Sequence, residues 1–266
     1  MRREIITIQE IEKILEKYNI GKKPLSLVLG WGEITIIRYL EGQIPDKFHS
    51  DLLLKIKDSY QEFFKYLEKN KNLITPLAYK KALSKITELK LEEDQSKVYV
   101  IAKHIIAQME DTTPLALQKI LYYIEGFSLA LLDKNILLTN PEAWVHGPVY
   151  KEIYNRFSHY SYHAIAKEEF SKYKTLENFS KEEQNLIVSV IKSFGCYSGK
   201  VLELMTHQTE PWLQARGELR ELDSGNYEIS EDDMKIYFKK ICQKYQIASV
   251  KDISRYSKKM FGRIVK

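Results

Sequence analysis

The chain has 266 residues, of which 44% are hydrophobic and 29% charged, and a formal net charge of +5. That balance supports a sizeable core in one large or two modest domains. No apolar run approaches the ~18 residues of a membrane helix, and the first ten residues, MRREIITIQE, carry no apolar signal segment, so no membrane partner is expected and the cytoplasm is the expected location. The two cysteines, Cys196 and Cys242, form neither a disulfide framework nor a zinc pattern; both are expected as small core residues.

The charge is unevenly divided. Residues 1–90 hold 17 Lys and Arg against 12 Asp and Glu, whereas residues 91–266 hold 24 of each. A basic first third on a neutral remainder suggests a nucleic-acid-binding module joined to something else.

In chain order, Thr7 with Glu10 has capping-box spacing, and Ile8, Ile11, Ile14, Leu15 and Tyr18 make the apolar stripe of a first helix that Asn19-Ile20-Gly21 ends. A short helix is expected from Pro24 to Leu29, with the small Ser26 where two helices approach. Gly30-Trp31-Gly32 makes a turn, and a second helix runs from Glu33 to about Glu41, with Ile36 and Leu40 inward and Gly42 as its stop. This is a helix-turn-helix pattern, whose second helix lies in the major groove.

The run GWGEITIIRYLEG, with Pro45 just after, resembles the DNA-binding domain of MqsA-type antitoxins over about residues 7–85. The resemblance implies Arg38 as base reader or phosphate clamp, and Glu33 and Thr35 near the start of the recognition helix, where side chains reach base edges. Tyr39 and Gln43 are placed at phosphates, and Lys22 and Lys23 add charge at a helix start. Ile34 departs from the polar base reader often found there. The zinc module of MqsA itself is absent.

Lys47 to Leu67 reads as one amphipathic helix (Phe48, Leu52, Leu53, Ile56, Tyr60, Phe63, Phe64, Leu67), and Thr75-Pro76 starts another through about Ile86. The charged stretch from Thr87 to Ser96 is the expected linker. The expected domains are 1–86, 97–245 and a basic tail, 246–266.

The second domain opens with a helix from Lys97 to Glu110, its His104 expected in solvent. Next comes the stretch that organises the chain, Pro114 to Phe157. Thr113 is a candidate N-cap and Pro114 suits the first helical position. Ile136 to Leu138 and Ala143 to Val145 read as short strands around Asn140-Pro141, and Gly147-Pro148 precedes a helix from Val149 to about Phe157. Tyr122, Tyr123, Trp144, His146 and Tyr150 suit a protein-binding surface as well as a core. No nucleophile, phosphate loop or carboxylate pair accompanies them.

The order and spacing of Leu117-Gln118-Lys119-Ile120-Leu121-Tyr122-Tyr123 and Ala143-Trp144-Val145-His146-Gly147-Pro148-Val149 resemble the Panacea domain of SocA-like antitoxins. So do Leu204-Met205-Thr206-His207, Pro211-Trp212 and Ala215-Arg216, for a resemblance over roughly Val98 to Ile241. It implies a protein that binds and neutralises a toxin, with Lys119, Tyr122, Tyr123, Trp144, His146, Tyr150, His207 and Trp212 as its candidate contacts.

The stretch from Ser158 to Phe179 is tyrosine-rich and polar, and reads as a mobile or partner-facing loop. Its His159 and His163 lack an evident third metal ligand. Ser180 with Glu183 is a capping box for a helix to about Phe194, Ser198 caps another to Met205, and Ser230 starts a last one to Tyr245. The tail from Ile247 is either a docked basic helix (Val250, Ile253, Met260, Phe261 inward) or a binding arm.

The fold expected is mainly α: a helix-turn-helix bundle, then a mostly helical domain with a small β-hairpin. The function expected is that of a non-enzymatic antitoxin without cofactors. It would block a co-encoded toxin by direct binding and repress its own operon at operator DNA as a homodimer. The alternatives are a proteolysis adaptor that delivers the toxin to a protease, and a DNA-binding regulator with another protein partner.

Overall fold

The computed structural model describes residues 5–171, 173, 176–217, 219, 225 and 227–265, with the side chains of 91–95 set aside. Part of the loop after Ser158 and Lys266 at the end of the tail thus lie outside the described residues. The chain divides into two compact units, 1–94 and 95–266. The fold is mainly α with one small β-hairpin.

In the first unit, α1 (Ile8–Lys17) starts with the expected capping box, Thr7 and Glu10 satisfying each other's backbone N–H. Next come α2 (Lys22–Val28) and α3 (Thr35–Leu40). Ser26 is fully buried between them, and its hydroxyl accepts from the Ile36 N–H at 3.1 Å. A larger residue would push the two helices apart. Gly30 and Gly42 sit at φ +77° and +102°, a region that L side chains rarely adopt.

The single helix expected over Lys47 to Leu67 is two, α4 (Lys47–Asp58) and α5 (Tyr60–Lys69). Ser59 ends one in extended geometry and caps the other by accepting from the Glu62 N–H. The break lets Phe63 stack on Tyr18 at 3.9 Å, while Phe48, expected inward, is 70% exposed. The expected linker is helical: α6 runs unbroken over Pro76–Gln95. Its Leu, Lys and Glu residues are strong helix formers, and charge alone does not stop a helix.

The second unit is built around α8 (Pro114–Leu131), capped by Thr113 with Pro114 in its first turn. It is packed against α7 (Lys97–Gln108) and four later elements: α9 (Lys151–Phe157), α10 (Lys181–Phe194), α11 (Gly199–Thr206) and α13 (Glu231–Lys244); α12 (Glu210–Arg216) packs on α13. Surrounded in this way, α8 buries polar residues as well as apolar ones. α10 starts with the Ser180–Glu183 capping box. α14 (Ile253–Ile264) docks on α10 and α11 through Ile253, Tyr256 and Met260, so the tail is a packed helix and not a free arm.

Four local expectations change. The strands are β1 (Glu142–Trp144) and β2 (Gly147–Val149), paired antiparallel with Trp144 opposite Gly147. Residues 136–138 are not a strand, because the N–H groups of Ile136 and Leu137 serve the Glu125 carboxylate and that of Leu138 donates to Asn135 Oδ1 instead. His104 is buried rather than solvated, its Nδ1 3.2 Å from the Tyr173 carbonyl, and burial holds its pKa below the usual histidine value. The described part of the tyrosine-rich loop is a cover over the core, burying Ile165, Phe170, Leu176 and Phe179. Cys196 is exposed and Cys242 half-buried; neither is fully in the core.

Burial pushes the Glu125 carboxyl up to about 8, although the Leu137 N–H donates to it at 3.0 Å. The folded state therefore holds a proton there that the unfolded chain releases near pH 4.5. Stability from this group is complete below pH 4.5 and falls as the pH rises towards 8, with a ceiling of about 5 kcal/mol. Glu125→Gln keeps the acceptor for Leu137 and removes the titration. Urea midpoints at pH 5 and pH 8 are expected to converge in this variant relative to the parent chain; an unchanged gap would assign the pH dependence elsewhere.

Candidate functional site

The hairpin β1–β2 is held by side chains that come from the quoted motifs. Gln118 grips Tyr150 with both ends of its amide: Oε1 accepts from the Tyr150 N–H at 2.7 Å, and Nε2 donates to the Tyr150 carbonyl at 3.3 Å. Next to it, Lys119 Nζ donates to the Pro148 carbonyl at 2.9 Å. Two successive residues of α8 thus serve the outer edge of β2 as a neighbouring strand would.

The other strand is held from α12. Trp212 Nε1 donates to the Trp144 carbonyl at 3.0 Å, and Arg216, one turn later, donates to the Ala143 carbonyl at 3.4 Å. Along the outer edge of β1, Ala143 N–H donates to Tyr227 and Ile229 N–H donates to Pro141.

Gly147 sits at φ +90°, and a Cβ there would lie 2.7 Å from Thr206 Oγ1 and 2.9 Å from Lys119 Nζ. Only glycine lets the hairpin descend this far onto α8 and α11. At the tip, His146 is exposed and its Nδ1 lies 3.0 Å from Glu203 Oε1, while Lys200 donates to Glu203 Oε2 at 3.0 Å. Glu203 is itself buried. Burial pushes its carboxyl up, but the bonds from His146 and Lys200 outweigh this and hold it below the usual value. The fully buried Lys119 is pushed down to about 7 by desolvation, against the pull of Glu203.

The candidate contact residues fall into two groups. Lys119, Tyr122, Tyr123, Tyr150 and Trp212 are buried, so direct contact with a partner does not fit them. Their role is to build the seat of the hairpin. Tyr122 donates to Thr209 Oγ1 at 3.1 Å, tying α8 to the α11–α12 turn, and Tyr123 stacks on Phe194 at 4.0 Å. Burial raises the hydroxyl pKa of Tyr122, Tyr123 and Tyr150 well above the usual value.

The second group reaches solvent. His146 stands at the tip. Trp144 is half-buried, its ring edge-on to the exposed Tyr154 at 4.7 Å and its Nε1 bonded to Glu142. His207 is half-buried, stacks on Trp212 at 4.2 Å and interacts with the Val145 backbone in the hairpin turn; burial lowers its pKa. Glu203, Lys200 and Tyr154 belong to this platform and were not singled out from sequence, and Thr206, quoted only as part of a motif, joins them. The (i, i+3) spacing of Lys200, Glu203 and Thr206 on one helix was the available signal.

On the first unit, Lys22, Lys23, Arg38 and Gln43 are exposed and Thr35 is half-buried. Glu33 pairs with Lys23 at 2.8 Å in the open. Tyr39 departs from expectation: it is buried, and its hydroxyl shares a hydrogen bond with His49 Nδ1, while Trp31 stacks on that histidine at 3.9 Å. It braces the end of α3 and is not placed to touch phosphate. Ile34 is 49% exposed. Among the described residues no set of three ligands suits a metal, and no helix is long and apolar enough to cross a membrane.

A family model, that of the antitoxin SocA-like Panacea domain, matches residues 117–213. The match begins at Leu117, ahead of the Gln118-Lys119 grip, and ends just after Trp212. It thus spans the clamps on β2, the whole hairpin and the first of the two clamps on β1. Comparison with curated proteins and with solved structures returned no match.

Proposed function

We propose that this protein is an antitoxin that binds a co-encoded toxin through the exposed rim of the hairpin platform and blocks it without chemistry. The observation that carries this reading is the coincidence of the antitoxin-domain match with the clamped hairpin. A rigid scaffold presenting Trp144, His146 and Tyr154 suits recognition, because aromatic side chains give large contact area at small entropic cost.

The test is co-expression with the product of the adjacent reading frame, read by affinity pull-down and growth. A stable complex with restored growth is expected, and neither would appear if the partner assignment is mistaken. Rescue without any complex, or rescue that requires a cellular protease, would favour delivery to proteolysis.

The first unit is the proposed operator-binding module, with α2, the turn at Gly30–Gly32 and α3 as the helix-turn-helix. A pair of copies would read paired half-sites in the cytoplasm. The Arg38 side chain is exposed and has no partner among the described residues, which suits a group held ready for guanine or phosphate. Arg38→Ala is expected to weaken operator binding by about 1–3 kcal/mol while toxin binding is retained. Equal operator affinity in a gel-shift titration at fixed salt would remove Arg38 from the interface.

A further inference from the structure

A second feature of the 95–266 unit lies away from the hairpin. A cavity of ≈ 260 Å³ opens between α12, α13 and α14. Its floor is apolar and aromatic: Ile241, Met260, Tyr237 and Tyr256 are all buried. Lys240 and Lys244 stand one turn apart on α13 and so share a face, and Arg263 comes from α14. Glu210 is the single carboxylate in the lining, and it is paired with Lys240 at 3.4 Å. Lys244 and Arg263 have no acidic partner among the described residues. Lys244 lies 5.8 Å from the Tyr245 ring centre, and Arg263 makes a long 4.0 Å contact to Met260 Sδ.

The floor adds a directed group. The hydroxyls of Tyr237 and Tyr256 are bonded to each other at 3.1 Å. The pair has two O–H protons and their mutual bond uses one, so one hydroxyl can still donate. Arg263 acts electrostatically on Tyr237, opposing the rise that burial causes. A positive rim, an O–H donor at the base and apolar walls together suit a small anion with an organic part.

We propose that this cavity binds a small phosphorylated ligand. Its phosphate would lie between Lys244 and Arg263 with the tyrosine O–H beneath, and its organic part against Tyr245 and Met260. Arginine's planar fork fits phosphate oxygens bidentately, and the volume suits a compact phosphate ester rather than a dinucleotide. The cavity shares α12 with the clamp on β1, since Glu210 stands two residues before Trp212.

The test uses the full chain, with adenosine monophosphate and inorganic phosphate as probes and chloride at matched ionic strength as control. Calorimetric titration is expected to show the monophosphate binding more tightly than inorganic phosphate, and a double variant, Lys244→Gln with Arg263→Gln, is expected to lose about tenfold or more in affinity. Both side chains are exposed at the rim, so the variant keeps its fold. Tyr237→Phe provides a second reading, weakening binding by removing one hydroxyl while keeping the ring. Binding equal in the parent and double-variant chains, or no heat from either probe at about 10 mM, overturns the proposal. Inorganic phosphate matching the monophosphate would overturn the assignment of an organic part.

Discussion

Gly126→Ala is expected to destabilise the second unit by about 3 kcal/mol or more, although alanine is the better helix former by about 1 kcal/mol. Gly126 lies inside α8, and a Cβ there would fall 2.2–2.4 Å from three ring atoms of Phe238. That ring cannot retreat, because it is fully buried and wedged edge-on against Tyr122 at 5.6 Å and Phe127 at 5.2 Å. Relief requires α8 and α13 to move apart and loosens the aromatic cluster they share. The check is a double-mutant cycle in urea: Phe238→Leu should cost less in the Gly126→Ala background than in the parent chain. A Gly126→Ala variant more stable than its parent would falsify the close approach.

On the proposed antitoxin function, Gly147→Ala is expected to abolish neutralisation of the toxin while leaving helix content nearly intact. Two penalties act together. The backbone at φ +90° is unfavourable for alanine, and the added Cβ runs into Thr206 Oγ1 and the end of Lys119. A local cost of about 2–4 kcal/mol is enough to lift the turn, separating Lys119 from the Pro148 carbonyl and His146 from Glu203. Thr206→Ala added to Gly147→Ala removes one clash but not the backbone strain, so it should restore growth rescue only in part. Full rescue by Gly147→Ala alone, with circular dichroism unchanged, would show that the seating of the hairpin does not matter for neutralisation.

The parts of the fold that could be read from sequence are those decided within a few residues. Thr7, Thr113, Ser180, Ser198 and Ser230 each cap a helix as expected, Thr7 and Ser180 from their spacing to a downstream glutamate and Thr113 from the proline that follows it. The hairpin's register was not legible, because its bonds come from Gln118, Lys119, Trp212 and Arg216, far away along the chain. The same distance hid the role of the candidate contacts. A tyrosine in a helix looks the same whether it meets solvent or a second helix, and α8 is enclosed on most sides. Lys119 misled most, since lysine is almost never fully buried without partners; here Pro148, with Glu203 nearby, supplies them. At Ser59, the helical apolar period continued across the break, and the capping serine was the only local sign of it.

The clamps on the hairpin also constrain how anything can approach it. A two-stranded ribbon usually leaves a rim of unpaired amides and carbonyls onto which a foreign chain can align as an extra strand. Here the rim of β2 is matched by Gln118 and Lys119, and Pro148 has no N–H to offer. The rim of β1 is matched by Tyr227 and Ile229 of the returning chain and by the indole of Trp212. Backbone alignment, which is tolerant of sequence, is therefore closed to a partner at this ribbon, and the proposed recognition would run through side chains at the turn. Of these, His146 is exposed and Trp144 half-buried, so under the proposed function a change of partner would be made there, with the ribbon beneath held by its own clamps.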